Sequence, residues 1–200
     1  MTTFLLARHA AHEWLGRGIP GRLPGVGLSA QGREQAQELA ARLQPVALAA
    51  IYSSPQQRTR ETAAAVAARR ELPVQIEPGF DEIDFGQWTG RSFDELRAQG
   101  QAWTQWVQRR GSAQPPDGER FADVPMRALA ALRRLARQHP DQHVLVVSHG
   151  DVLKAIVATV LGMSLDHLER FDIAPVSVTV LAMGEDWQQL QLLNGQGTLR

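Results

Sequence analysis

Two hundred residues with 44% hydrophobic content suit one domain, 1–200, with a sizeable core. Basic and acidic residues balance at 21 each, so no global field draws the chain to nucleic acid or to an anionic membrane, and an anionic ligand has to be held by local charge. Zero cysteines exclude a disulfide framework, a thiolate nucleophile and any zinc site built on sulfur.

The opening Met-Thr-Thr-Phe-Leu-Leu-Ala-Arg has no basic region ahead of a long apolar stretch, and no later apolar run approaches the ~18 residues of a membrane span. A cytoplasmic location is therefore the expectation. Phe4–Ala7 is too short for a helix and apolar enough for a buried strand. A Gly/Pro-rich loop from Gly16 to Gly27 follows, and regular structure is expected to resume at Ser29, the N-cap of a helix with Ala36, Leu39, Ala40 and Leu43 on one face. Ala49–Tyr52 reads as a second strand, after which Ser53-Ser54-Pro55 launches a helix through Arg70, with Pro tolerated in its first turn. Val74–Ile76 is a third strand.

Residues 78–120 change character, with Gly79, Gly86, Gly90, a Ser92-x-x-Glu95 capping box, a helix bearing Trp103 and Trp106, and a Pro115-Pro116-Asp117-Gly118 turn. They form an excursion expected over the sheet edge, with the tryptophans as its packing. A long amphipathic helix (Phe121, Val124, Ala128, Leu132, Leu135), a buried strand at His143–Val147 and an apolar helix at 151–161 come next. A hairpin, Val176–Leu181 and Trp187–Leu193 around Gly184, closes the chain. This alternation of apolar strands and helices predicts a three-layer α/β/α sandwich with a mostly parallel central sheet.

In such sheets ligands bind beyond the carboxyl ends of the strands. Strand one runs into Arg8-His9, strand two into Ser53-Ser54-Pro55-x-x-Arg58, and the strand at 144–147 into Ser148-His149-Gly150. The first sixty residues are also locally positive, with seven Arg against three Glu. Two Arg supply forked donors for the equatorial oxygens of a transferring phosphoryl group. A neutral imidazole, of His9 or His149, is a competent nucleophile near neutrality, and its phosphorylated form is labile to water. The other imidazole, if protonated, donates to a phosphoryl oxygen with help from the helix N-terminus just after Gly150. A proton source for the leaving alkoxide is still needed.

These motifs resemble those of the histidine phosphatase superfamily, the phosphoglycerate mutase-like branch with its Arg-His-Gly signature. The match runs from Leu5 to about Leu181 and comprises Arg8-His9; Leu28-Ser29-x-x-Gly32-x-x-Gln35-Ala36; Ser53-Ser54-Pro55-x-x-Arg58-x-x-x-Thr62-Ala63; Glu82-Ile83-Asp84-Phe85-Gly86-x-Trp88-x-Gly90; and Ser148-His149-Gly150. Each piece is weak alone, and all five stand in family order. The resemblance implies that His9 is phosphorylated, that Arg8, Arg58 and His149 form the phosphate pocket, and that Glu82 is the proton donor. Glu82 also makes sense on its own, because a carboxyl among Ile83, Phe85 and Trp88 is desolvated and its pKa raised. Asp81, Asp84 and Asp151 are its rivals.

Three positions depart from the signature: Ala10 stands for Gly, His12 for Ser or Thr, and Leu15 for the Asn that relatives often carry. One phosphate donor is thereby lost, and Arg17 and Arg22 of the Gly-rich loop are candidates to replace it or to hold a second anionic group. His12 either lines the pocket or faces solvent. The donor types of His9, His12, His149 and Glu82 suit zinc or iron, but two Arg at the same strand ends repel a cation, so neither metal nor cofactor is expected. The expected activity is hydrolysis of a small phosphomonoester, a small phosphorylated metabolite being the partner. A mutase, for which the chain is short, and a non-catalytic phosphate-binding scaffold are the alternatives.

Overall fold

Alternation along the first strand sets up the layers. In the computed structural model, which describes residues 1–198, β1 covers Thr2–Arg8 and buries Phe4 and Leu6 in one core cluster and Leu5 and Ala7 in another. There follow β2 (Gly18–Ile19), α1 (Ala30–Arg42), β3 (Leu48–Ser53), α2 (Gln57–Ala67), β4 (Val74–Ile76), β5 (Arg91–Ser92), α3 (Phe93–Arg97) and α4 (Gln101–Gln108). The chain continues through α5 (Asp123–Gln138), β6 (His143–Ser148), α6 (Gly150–Val160), β7 (Val178–Met183) and β8 (Gln188–Gly195). The six-stranded sheet has the order β4-β3-β6-β1-β7-β8, with the first four strands mutually parallel and β7 and β8 added antiparallel. Val144 and Val146 of β6 join one cluster with α5 and α6, whereas Leu145 and Val147 join the other with α1 and α2, so the expected α/β/α sandwich is formed. No helix among the described residues is long and apolar enough to cross a membrane.

The structure differs from expectation in four places. The Gly-rich loop is not wholly irregular: Gly18 and Ile19 pair antiparallel with Ser92 and Arg91, and a side chain at Gly18 would collide with the Arg91 carbonyl. The excursion lies on the α5/α6 face rather than at the sheet edge, because Phe85, Trp88 and Trp106 gain burial in that core, Trp106 standing edge-on to Phe85, Trp88 and Phe121. Pro55 falls before α2, whose N-cap is Gln56, and the helix stops at Ala67 rather than Arg70. A short run of 3₁₀ turns at Leu165–Arg170 carries no apolar period and was not anticipated.

Helix α1 props the loop that leaves β1. Ser29 caps the helix through its hydroxyl, accepting from Gly32 N–H, and its backbone N–H donates to Ala11 O at 3.0 Å. A Cβ at Gly32 would stand 1.9 Å from that carbonyl. Gly32→Ala is therefore expected to cost about 1–3 kcal/mol, as overpacking does, and to lower turnover by shifting the segment that carries His9 and His12. Melting temperature and turnover measured on the same sample check this; neither changing would show that helix and loop slide apart freely.

Candidate active site

Parallel pairing puts Arg8 opposite Ser148, so the dipeptides Arg8-His9 and Ser148-His149 leave adjacent strands in the same register. The His9 N–H extends the ladder with a bond to Ser148 O at 2.9 Å, and the two imidazole centroids come to 5.2 Å. His9 Nδ1 lies 2.8 Å from the Ala10 carbonyl. A carbonyl only accepts, so Nδ1 holds the hydrogen and Nε2 keeps its lone pair. Burial, followed by the charges of Arg58 and Arg8, holds the His9 pKa well below the ordinary histidine range, so the ring is neutral. Ala10 lies outside the left-handed region, and its N–H donates to Thr62 Oγ1 at 3.0 Å; the loop takes an L-residue there without strain.

Arg58 enters from the first turn of α2 and is fully buried. Its Nη2 donates to Gly21 O at 2.9 Å and lies 3.2 Å from His149 Nδ1 and 3.4 Å from Glu82 Oε2. Among the described residues its Nε and Nη1 have no protein partner, nor has the Nε of Arg8, whose Nη1 donates to Ile173 O at 2.7 Å. Buried guanidinium donors without acceptors are costly unless an anion uses them. Gly150 has a local reason, since a Cβ there would press on the Arg8 guanidinium at 3.2 Å.

His149 is fixed by a relay. Asp81 Oδ1 accepts from Ser54 Oγ at 3.2 Å, which leaves that oxygen to accept from His149 Nε2 at 2.7 Å. The lone pair is then on Nδ1, facing Arg58 and Glu82. Burial, then Arg58, depresses the His149 pKa well below its ordinary value, so the protonation entertained for this ring is not supplied by the protein alone. Its 3.3 Å contact with Glu82 is accordingly no ion pair. Desolvation raises the Glu82 carboxyl to about 7, against the opposing pull of Arg58 and with a further push from Asp151, so near neutrality both its protonated and its ionised forms are populated.

The rivals of Glu82 are occupied. Asp81 is taken by Ser54, Gln56 Nε2 and the Glu82 N–H; Asp84 is half exposed and accepts from Gly86 N–H; and Asp151 lines the cleft but is paired with Arg110 Nη1 at 2.7 Å. Arg22 points elsewhere: its Nε donates to the Glu82 carbonyl at 2.8 Å, with Asp81 and Glu119 also in ion-pair range. Arg17 is exposed, lines a shallow depression with Glu13 and Gln31, and lies outside the cleft that holds His9. His12 is in that cleft, and His139, His143 and His167 are not.

Sequence reasoning missed Arg127, on the polar side of α5, which donates to Glu119 at 2.6 Å and reaches the Glu82 carbonyl at 3.4 Å. It also missed Arg110 and Lys154, which line the cleft among Asp151, Glu169 and Asp172. Nothing in their spacing signals a site. Among the described residues no three His, Asp or Glu side chains gather as a metal-ligating group. The cleft, about 320 Å³, has an apolar side made by Ile19, Phe85, Phe93, Trp103 and Trp106. Arg8, His9, His12 and Glu82 thus line one small cavity, while Arg58 and His149, fully buried, lie behind it against Glu82.

The family described as the histidine phosphatase superfamily (branch 1) matches residues 4–196. The chain belongs to the histidine phosphatase superfamily. Phosphoserine phosphatase 1 of Hydrogenobacter thermophilus is 33% identical over 195 residues, covering 97% of this chain and 92% of that one. The adenosylcobalamin/alpha-ribazole phosphatase of Escherichia coli is 31% identical over 170 residues, 84% of each chain. Among solved structures, Bacillus stearothermophilus YhfR superposes with a TM-score of 0.94 at 33% identity over 99% of both chains. As a histidine phosphatase, the protein is a hydrolase of that family's type, acting on small phosphorylated molecules.

Proposed function

We propose that the protein hydrolyses a small phosphomonoester through a phosphohistidine on His9. The observation that carries this reading is the bond from His9 Nδ1 to Ala10 O, which leaves the Nε2 lone pair facing a cleft lined by Arg8 and Glu82. The lone pair attacks phosphorus as the P–O ester bond breaks. The protonated Glu82 gives its hydrogen to the departing oxygen, which leaves as an alcohol. The Glu82 carboxylate then takes a proton from water; the hydroxide formed attacks phosphorus, the P–N bond breaks, and inorganic phosphate and free His9 result. Unpartnered donors of Arg8 and Arg58 receive the charge spread over the equatorial oxygens. The leaving alcohol sits toward Trp103, Arg110 and Lys154, whose mixture of rings and paired charges suits a compact polar metabolite.

The test is a panel of phosphomonoesters beginning with phosphoserine and alpha-ribazole phosphate, the substrates in the relatives' names. Phosphate release is followed, and the enzyme is quenched without acid for peptide mapping. Release of phosphate with label on His9 is expected. Transfer to an added phosphoglycerate instead of water would make it a mutase, and binding without turnover or label would make it a scaffold.

A further inference from the structure

His12 lines the cleft, and the reaction above leaves it without a task. It is buried, its centroid 5.1 Å from that of His9 with the planes tilted by 43°. The segment is held from outside, because Ala11 N–H donates to Gln35 Oε1 at 2.9 Å and Ala11 O accepts from the Ser29 N–H. The Trp14 backbone N–H donates to His12 Nδ1 at 3.2 Å. That bond decides the tautomer: Nδ1 must present its lone pair, so the ring hydrogen is on Nε2. Among the described residues Nε2 has no protein partner, and His12 lines the same cavity as His9, Arg8 and Glu82. Leu15, the next cleft residue but one, offers no donor.

We propose that His12 Nε2–H is a hydrogen-bond donor to an oxygen of the transferring phosphoryl group. The proposal rests on the phosphatase reading and adds to it a residue that touches the substrate. Because the lone pair is used by Trp14, His12 is excluded as the base that activates water and as the nucleophile. Burial, then Arg58 and Arg8, holds its pKa down to about 4, so across the neutral range it is a neutral donor rather than a third cation. A donor fixed by backbone needs no reorganisation when charge develops on the phosphoryl oxygens.

Two substitutions separate donation from packing. His12→Phe keeps a planar ring without an N–H, and His12→Gln keeps an N–H. Removing a preorganised donor of this kind costs about 10²-fold in turnover, and His12→Phe is expected to lose about that much while its affinity for orthovanadate falls in parallel. His12→Gln should recover most of both. Affinity and turnover unchanged in His12→Phe would overturn the proposal, as would equal losses in the two variants at unchanged melting temperature. Should His12→Phe fail to fold, the Nε2–H resonance of the wild type, followed by NMR as vanadate is added, decides instead: a shift is expected, and an unmoved resonance overturns the role. A wild type that binds no vanadate at all overturns the anion site itself, whereas binding that ignores the His12 substitutions overturns only this inference.

Discussion

His9→Ala is expected to abolish turnover, by roughly 10⁴-fold or more, because it removes the atom on which the proposed covalent intermediate forms. The neighbouring imidazoles do not substitute for it. His149 Nε2 is bound to Ser54 and its Nδ1 faces Arg58, while His12 Nδ1 is bound to the Trp14 amide. Anion binding should survive, since the free donors of Arg8 and Arg58 are untouched. The check is therefore paired: vanadate affinity and the melting curve near those of the wild type, with phosphate release and trapped phosphoenzyme both lost. Substantial turnover in His9→Ala, or label found on another residue, would move the nucleophile elsewhere.

Glu82→Gln should show an effect that depends on the leaving group. An alkyl phosphate releases a basic alkoxide that needs a proton, so its cleavage should slow by the ~10²–10⁴ typical of general acid catalysis. p-Nitrophenolate departs without help, so the pre-steady-state burst from p-nitrophenyl phosphate should be slowed far less. The burst is the quantity to compare, because the same carboxylate later activates water and masks the difference in steady state. The pH profile follows from the raised pKa: in the proposed role Glu82 acts as an acid, its protonated form is retained up to about 7, and alkyl phosphate cleavage in the wild type should fall as pH rises through that value. Glu82→Gln should lack that limb. Equal burst suppression with both substrates would take the role from Glu82 and direct the same measurement to Asp151.

What was legible in the sequence is what repeats locally. The continuous apolar runs of β1 and β6, the Ser29 and Ser92 caps, and the Arg and His that end the strands need only neighbouring residues to be recognised, and the sandwich follows from them. What was not legible depends on contacts across long separations. The Gly18–Ile19 strand has two residues and no period, so only its partner at 91–92 reveals it. Arg22 carries the expected charge but spends it on the Glu82 carbonyl and on Asp81, a choice fixed by the excursion folding back 60 residues later. Arg127 and Glu119 hold the same turn from behind and look like ordinary polar helix and loop positions in the sequence. Pro55 misled because Ser54, taken for a helix starter, instead orients His149.

The register of β1 on β6 sets how the molecule can move and change. His9 N–H is bonded to Ser148 O, and Ser54 N–H to Val147 O at 3.0 Å, so His9 and the Ser54 that supports His149 hang from the central ladders of the sheet. Amides in central strands exchange with solvent only through openings that approach global unfolding, whereas a two-residue pairing such as β2 with β5 opens at small cost. The proposed chemical step is thus tied to the slowest-opening part of the fold and the outer wall of the cleft to one of the fastest. Substitutions in the wall can alter which alcohol is accepted while the phosphoryl machinery stays in place, which makes this a scaffold on which new substrate preferences arise without loss of the reaction.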